Sequence, residues 1–236
     1  MFIGIYNCST CLTYLNLISG VLGIQFLMIN QENIIKSSIC LLICGILDML
    51  DGIVSRCKKN ASLQEQQYGV QIDSLADMVS FGLLPLFIGG SLFKISYPEF
   101  QFNIKIFLLI FITSLYTVAA LIRLAYFNTM NKKINNLNKQ LNQQIFIGIP
   151  VTISAIVFPS LILIRLLIKK IKSIDNNISE KTFCWFYFFM INLLTFLFIY
   201  DRIRLKKPKN IIYILFITII SVILIFSLLN LEKFTI

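Results

Sequence analysis

Apolar stretches of about 20 residues alternate with short polar segments along nearly the whole chain. A hydrocarbon core about 30 Å thick, crossed at about 1.5 Å per residue, needs a helix of roughly that length. Seven spans are predicted on this basis, near Tyr14–Ile29, Ser37–Val54, Met78–Tyr97, Ile104–Tyr126, Ile145–Ile168, Phe183–Tyr200 and Ile211–Leu231. The segment MFIGIYNCSTCLT at the start has no basic run, and no small-residue cleavage site follows the first span, so that span reads as retained. The expectation is an all-α, polytopic membrane bundle of about seven helices, with no soluble domain left once the spans are removed.

Composition agrees with the pattern. The chain has 236 residues, 57% of them hydrophobic and only 14% charged, and its mean hydropathy is +0.82. Soluble globular domains rarely reach such values. The formal charge of +10 does not point to nucleic acid, because the basic residues sit in short loops between spans, where Lys and Arg favour the cytoplasmic side. Grouping alternate loops puts Arg56, Lys58, Lys59, Arg123, Lys132, Lys133, Lys139, Arg202, Arg204, Lys206, Lys207 and Lys209 on one side. These are twelve of the 21 basic residues, so this side is expected to be cytoplasmic. Arg165, Lys169, Lys170, Lys172 and Lys181 dissent from the arrangement.

Six cysteines and no histidine narrow the chemistry. Cys8 and Cys11 form a lone CxxC, with no second pair to complete a zinc site. Cys40 and Cys44 share one face of a span and read as small apolar packing residues. With no imidazole, a general base or hard-metal ligand must come mainly from carboxylates.

The carboxylates are clustered. Asp48 and Asp51 stand three apart near the end of the second span, and Asp73 and Asp77 four apart at the start of the third. On helices each spacing puts both side chains on one face. The polar segment between, Cys57 to Tyr68, lets the two spans pack as an antiparallel hairpin, so that all four converge. An aspartate at mid-membrane costs roughly 2.5–3.5 kcal/mol, so four uncompensated would cost on the order of 10 kcal/mol. A water-filled cavity and bound divalent cations offset such a cost. An all-oxygen donor set suits Mg²⁺ or Mn²⁺ rather than zinc, and a pair of such ions suits a phosphate-bearing substrate. Gly52 and Ser55 lie one turn beyond Asp48 and Asp51 on the same face, where backbone is open to approach. Arg56 follows, either as a phosphate-binding fork or as an anchor at the membrane edge. Arg123 sits late in a strongly apolar span and either faces the cavity or snorkels to the interface.

Taken together, Asp48-x-x-Asp51-Gly52-x-x-Ser55-Arg56 and Gly69-x-x-x-Asp73-x-x-x-Asp77 resemble the signature of the CDP-alcohol phosphatidyltransferases, fixed at eight positions. The flanking DSLADMVSFGLLP from Asp73, AALIRLAYFN from Ala119 and FIGIPVTISAIVFP from Phe146 are similar to the phosphatidylserine synthase branch, membrane-embedded type. The resemblance runs from about Asn7 to the end of the fifth span.

The resemblance implies a homodimeric helical membrane enzyme, in a bacterial inner membrane with its site on the cytoplasmic side. It would transfer the phosphatidyl group of CDP-diacylglycerol to L-serine among membrane lipids and release CMP. It implies two divalent ions, Mg²⁺ or Mn²⁺, held by Asp48, Asp51, Asp73 and Asp77, with Asp77 as the base. Gly52, Ser55, Arg56 and Gly69 match positions lining the CDP site, and Asn7-x-x-Thr10 matches a less specific element near the nucleotide. Arg123 and Asn128 are expected to bind phosphate or serine. Residues 1–200 would form the family domain and 201–236 a basic loop with an added C-terminal span. Two departures stand out: Ser55 where the family has alanine, and a longer run between Arg56 and Gly69 than the common signature. Closure entropy grows only logarithmically, so the added length costs a few tenths of a kcal/mol. The competing readings are a family member that accepts glycerol 3-phosphate or an inositol phosphate, and a cation-coupled transporter. The aspartates cluster at one end of one hairpin and no paired broken helices are evident, which favours an enzyme.

Overall fold

In the computed structural model the described residues are 4–57, 62–98, 104–137, 145–171, 176–202, 204–206 and 211–232. Eight α-helices account for nearly all of them: α1 (Cys8–Ile29), α2 (Ile34–Cys57), α3 (Leu63–Asp77), α4 (Leu84–Ser96), α5 (Ile104–Leu137), α6 (Ser154–Ile171), α7 (Asn176–Ile199) and α8 (Ile211–Glu232). A π-helical turn, Met78–Leu83, joins α3 to α4 without a break. Among the described residues six stretches are long and apolar enough to cross a membrane, and α8 contributes a shorter apolar stretch, Ile217–Leu231. The fold is therefore the expected polytopic helical bundle. One small addition is a two-stranded antiparallel ribbon, β1 (Ile145–Ile147) with β2 (Arg204–Lys206), in register Phe146↔Leu205. Ile145–Ile147 lies within the fifth span as the apolar pattern draws it, but here it is strand, and the span starts only at Val151, after Gly148 and Pro150.

The third span begins earlier than the apolar pattern indicates. The polar run before Gly69 is helical from Leu63, because Ser62 caps it: the Ser62 hydroxyl accepts the Glu65 N–H, and the Glu65 carboxylate takes the Ser62 N–H, each at 3.2 Å. The long linker is thus spent on roughly two extra turns of α3, which hand Gly69 and Asp73 back toward α2. At the inner end of those turns the Tyr68 and Tyr14 hydroxyls meet at 3.0 Å, tying α3 to α1.

The π turn has a sequence cause. Pro85 has no N–H to give the carbonyl of Phe81 four residues earlier. That carbonyl is met from two other helices, by the Tyr116 hydroxyl at 3.0 Å and the Ser154 hydroxyl at 3.4 Å. The Tyr187 hydroxyl donates to the Pro85 carbonyl at 2.9 Å. The buried rings of Tyr116, Phe158 and Tyr187 pack together around this point, the first pair edge-on and the second tilted, so α5, α6 and α7 are locked onto the turn that follows Asp77 and the start of α4.

Small residues set how closely α1 approaches. A Cβ on Gly20 would lie 2.7 Å from Ser80 Oγ, and one on Gly23 would lie 2.9 Å from Leu84. Lipid offers no hydrophobic drive between helices, so such close backbone approach is how membrane helices gain packing. Cys40 and Cys44 are buried here as packing residues, with the Cys44 thiol donating to the Asn16 carbonyl at 3.3 Å.

At the opposite end of the bundle Glu180 pairs with Arg165 at 2.7 Å and with Lys169 at 3.2 Å. Lys181 lies 5.6 Å from the centre of the Tyr97 ring. Three of the basic residues that disturb the loop-charge pattern are therefore engaged locally.

Candidate active site

The hairpin of α2 and α3 brings the aspartates together. One carboxylate oxygen from each of Asp48, Asp73 and Asp77 lies within 4.8 Å of the other two. Asp51 stands close to one turn further along α2 than Asp48. Asp51 and Asp77 are almost fully buried, at 6% and 5% exposure. Among the described residues this is the one cluster of His, Cys, Asp or Glu side chains able to hold a metal ion.

The donor set fits a hard divalent cation. It consists of carboxylate oxygens, with neither imidazole nor thiolate among them. Asp73 Oδ1 is buried and has no hydrogen-bond partner. A buried acceptor left bare costs about 1–3 kcal/mol, and a bare carboxylate oxygen costs more, so a cation at this point relieves a real penalty. Asp48, Asp73 and Asp77 are the residues that could hold it, with Asp51 at their edge.

Two residues outside the signature complete the wall, and neither stands out in the sequence as a candidate. Thr13 Oγ1, on α1, donates to Asp51 Oδ2 at 2.8 Å. Asn16 Nδ2, one turn on, donates to Asp77 Oδ1 at 3.3 Å. A signal for them exists all the same: Thr10, Thr13, Asn16 and Ser19 recur every third residue in an otherwise apolar span, and all four are buried.

The remaining candidates separate into two groups. Gly52 and Ser55 lie on α2 next to the aspartates, with the Ser55 hydroxyl bonded back to the Gly52 carbonyl at 3.2 Å. Gly69 stands one turn before Asp73 in open space, since a Cβ built on it would meet no atom within 4 Å. Asn128 on α5 donates to Ser74 Oγ at 2.7 Å, beside Asp73. The side chain of Arg56 lies outside the described residues.

Asn7 and Thr10 act locally, at the start of the first helix. Asn7 caps α1, and its N–H donates to Thr10 Oγ1 at 2.8 Å. Arg123 is buried, and its Nε donates to the Ile149 carbonyl at 2.8 Å. Its guanidinium lies over Gly148, where a Cβ would come within 3.1 Å of Cζ and where φ is +80°. Both facts require glycine there. Among the described residues Arg123 forms no ion pair with the four aspartates, and its bond to Ile149 fastens α5 to the segment entering α6.

Known proteins are similar to this chain in sequence. Residues 6–231 match the family described as CDP-alcohol phosphatidyltransferase, so the match includes α8. The chain is 30% identical over 152 residues to a CDP-diacylglycerol–serine O-phosphatidyltransferase of Methanocaldococcus jannaschii, covering 64% of this chain and 58% of that one. It is 31% identical over 141 residues to the protein of that name in Helicobacter pylori strain J99, covering 60% and 50%. A third relative of that name, from Bacillus subtilis, is 29% identical over 137 residues, covering 58% and 64%. The chain thus spans between half and two thirds of the length of these curated relatives.

Proposed function

Because the chain belongs to the CDP-alcohol phosphatidyltransferase family, we propose that it transfers the phosphatidyl group of CDP-diacylglycerol to the hydroxyl of L-serine, giving phosphatidylserine and CMP. The observation that carries this reading is the convergence of Asp48, Asp73 and Asp77 within 4.8 Å in an otherwise apolar bundle. The shared name of the relatives supports serine as the acceptor.

In the proposed reaction the serine oxygen forms a bond to the phosphorus bearing the diacylglycerol. The bond from that phosphorus to the CMP oxygen breaks. A serine hydroxyl is too weak an acid to attack unaided at neutral pH, so a carboxylate must take its proton during attack. Asp77 has that role here, buried at the junction of α3 and the π turn. Asp48, Asp51 and Asp73, with Asp77, would hold two divalent ions, Mg²⁺ or Mn²⁺. Those ions, when bound, neutralise the diphosphate and stabilise departing CMP.

The CDP moiety would lie along Gly52, Ser55, Arg56 and Gly69, where small residues leave the backbone accessible, with Asn7 and Thr10 near the nucleotide. Asn128 and Arg123 would bind phosphate or the serine carboxylate. The enzyme would act as a homodimer in a bacterial inner membrane, with the site opening to the cytoplasm. Residues 1–200 would form the catalytic unit and 201–236 an appended loop and helix.

The acceptor is tested by supplying membranes that contain the protein with CDP-diacylglycerol and labelled L-serine, glycerol 3-phosphate or an inositol phosphate. Labelled phosphatidylserine is expected. Lipid product formed only from a phosphorylated acceptor would refute serine while leaving the family reaction standing.

A further inference from the structure

We infer that Asn16 is a positioning residue for Asp77, holding one carboxylate oxygen so that the other is offered to the serine hydroxyl; the inference rests on the proposed transfer reaction.

Three observations meet at this side chain. Asn16 is fully buried, and its Nδ2 donates to Asp77 Oδ1 at 3.3 Å across the α1–α3 interface. Its backbone is pinned on both sides, because its carbonyl accepts from the Cys44 thiol and the Ser80 hydroxyl, each at 3.3 Å. Ser80 belongs to the π turn that begins immediately after Asp77. Gly20, one turn further along α1, is what lets α1 come that close, since its Cβ would lie 2.7 Å from Ser80 Oγ. The amide is therefore referenced to the same piece of backbone that carries the carboxylate.

The third observation is what Asn16 lacks. Its Oδ1 is buried with no hydrogen-bond partner, as is Asp73 Oδ1 in the same cluster. An asparagine kept only for packing would not leave a bare acceptor in a membrane interior, where an apolar side chain of that size fits without penalty. The bond that the Asn16 amide does make is the one from its donor to Asp77.

Why a donor matters on Asp77 in particular follows from geometry. The carboxylate torsion of aspartate is broad and nearly two-fold, so an unheld Asp77 can present either oxygen or both. Beside two other carboxylates that converge within 4.8 Å, a free carboxylate would swing to give both oxygens to a bound cation. A carboxylate so engaged is a poor proton acceptor. The Asn16 N–H fixes Oδ1, whose second lone pair stays open toward a cation, and leaves Oδ2 to the serine hydroxyl. Asn16 itself touches no reacting atom.

The test uses the full chain purified in detergent, with CMP release measured from CDP-diacylglycerol and serine, and Mn²⁺ binding measured by electron paramagnetic resonance without substrate. Asn16→Leu removes the donor at similar size. The expected result is a fall in kcat of about a hundredfold, the scale of a misplaced catalytic group, with KM for CDP-diacylglycerol little changed and Mn²⁺ bound as tightly as before or more tightly. Asn16→Ser, smaller and still a weak donor, is expected to lie between Asn16→Leu and the parent in kcat, and it carries the same test should Asn16→Leu not fold. Parent-like kcat in these variants would overturn the inference, and so would a parallel loss of kcat and Mn²⁺ binding, which would mark Asn16 as structural. A parent chain that releases no CMP would sink the functional reading and this inference with it.

Discussion

Thr13 Oγ1 donates to Asp51 Oδ2 at 2.8 Å, joining two helices across 38 residues of sequence. The hydroxyl also lies 3.2 Å from the Ser9 carbonyl on its own helix. It has one proton to give, and the shorter, charge-assisted contact takes it. Through this bond the first helix takes part in shaping the acidic cluster and does more than pack against it.

Thr13→Val keeps the shape and loses the donor, leaving Asp51 buried with less support. Hydrogen bonds to charged groups contribute about 1.5–3 kcal/mol, so a lower thermal midpoint in detergent and weaker Mn²⁺ binding are expected. Thr13→Ser should recover most of both. A Thr13→Val protein with the parent midpoint and the parent Mn²⁺ isotherm would show that the bond contributes nothing.

Tyr116→Phe removes the closer of two donors to the Phe81 carbonyl and leaves Ser154 at 3.4 Å. The carbonyl is freed by Pro85 and buried, so the loss should destabilise the fold by about 1–3 kcal/mol. Adding Ser154→Ala should cost more than the two single effects summed, because the pair shares one acceptor. Unfolding midpoints of the three variants would test this; strict additivity would mean that the two hydroxyls act independently.

Gly148→Ala meets two obstacles at once: a φ of +80° and an Arg123 guanidinium 3.1 Å from the added carbon. A left-handed conformation costs a residue with a Cβ roughly 1–2 kcal/mol, and the displaced guanidinium adds to that. The thermal midpoint should fall in Gly148→Ala and only slightly in Gly90→Ala, where the added carbon meets nothing within 4 Å. Equal midpoints for the two variants would contradict the stacking of Arg123 on Gly148.

The site is legible in the sequence where its logic is local. Asp48 with Asp51 and Asp73 with Asp77 share helix faces by spacing alone, and the hairpin that joins them needs only a polar connection. The partners on α1 are not legible, because Thr13 and Asn16 reach aspartates 38 and 61 residues away and polar residues in an apolar helix do not announce what they face. The start of α3 escapes the apolar pattern for a different reason. The SLQEQQ run is polar enough to read as a linker, and the Ser62–Glu65 capping pair that makes it helical outweighs the absence of an apolar face. The π turn follows from Pro85 only once Tyr116 and Ser154 are seen to serve the carbonyl that Pro85 leaves free, which no single-chain pattern reveals. For Arg123 the sequence shows only a cation in an apolar span; its seat depends on Gly148 and the Ile149 carbonyl, the latter 26 residues away in a loop, and has no local signal.

The central claim is that the aspartate cluster performs metal-dependent phosphatidyl transfer. Its most direct measurement is CMP release from CDP-diacylglycerol and serine by the purified chain, with Mn²⁺, with excess chelator, and with Asp77→Asn in Mn²⁺. Release is expected with Mn²⁺, abolished by chelator and restored by added metal. In Asp77→Asn it should be reduced by at least about a hundredfold, the lower end of what a general base contributes, while Mn²⁺ still binds. Release that persists in chelator, or that Asp77→Asn leaves at the parent rate, would contradict the account.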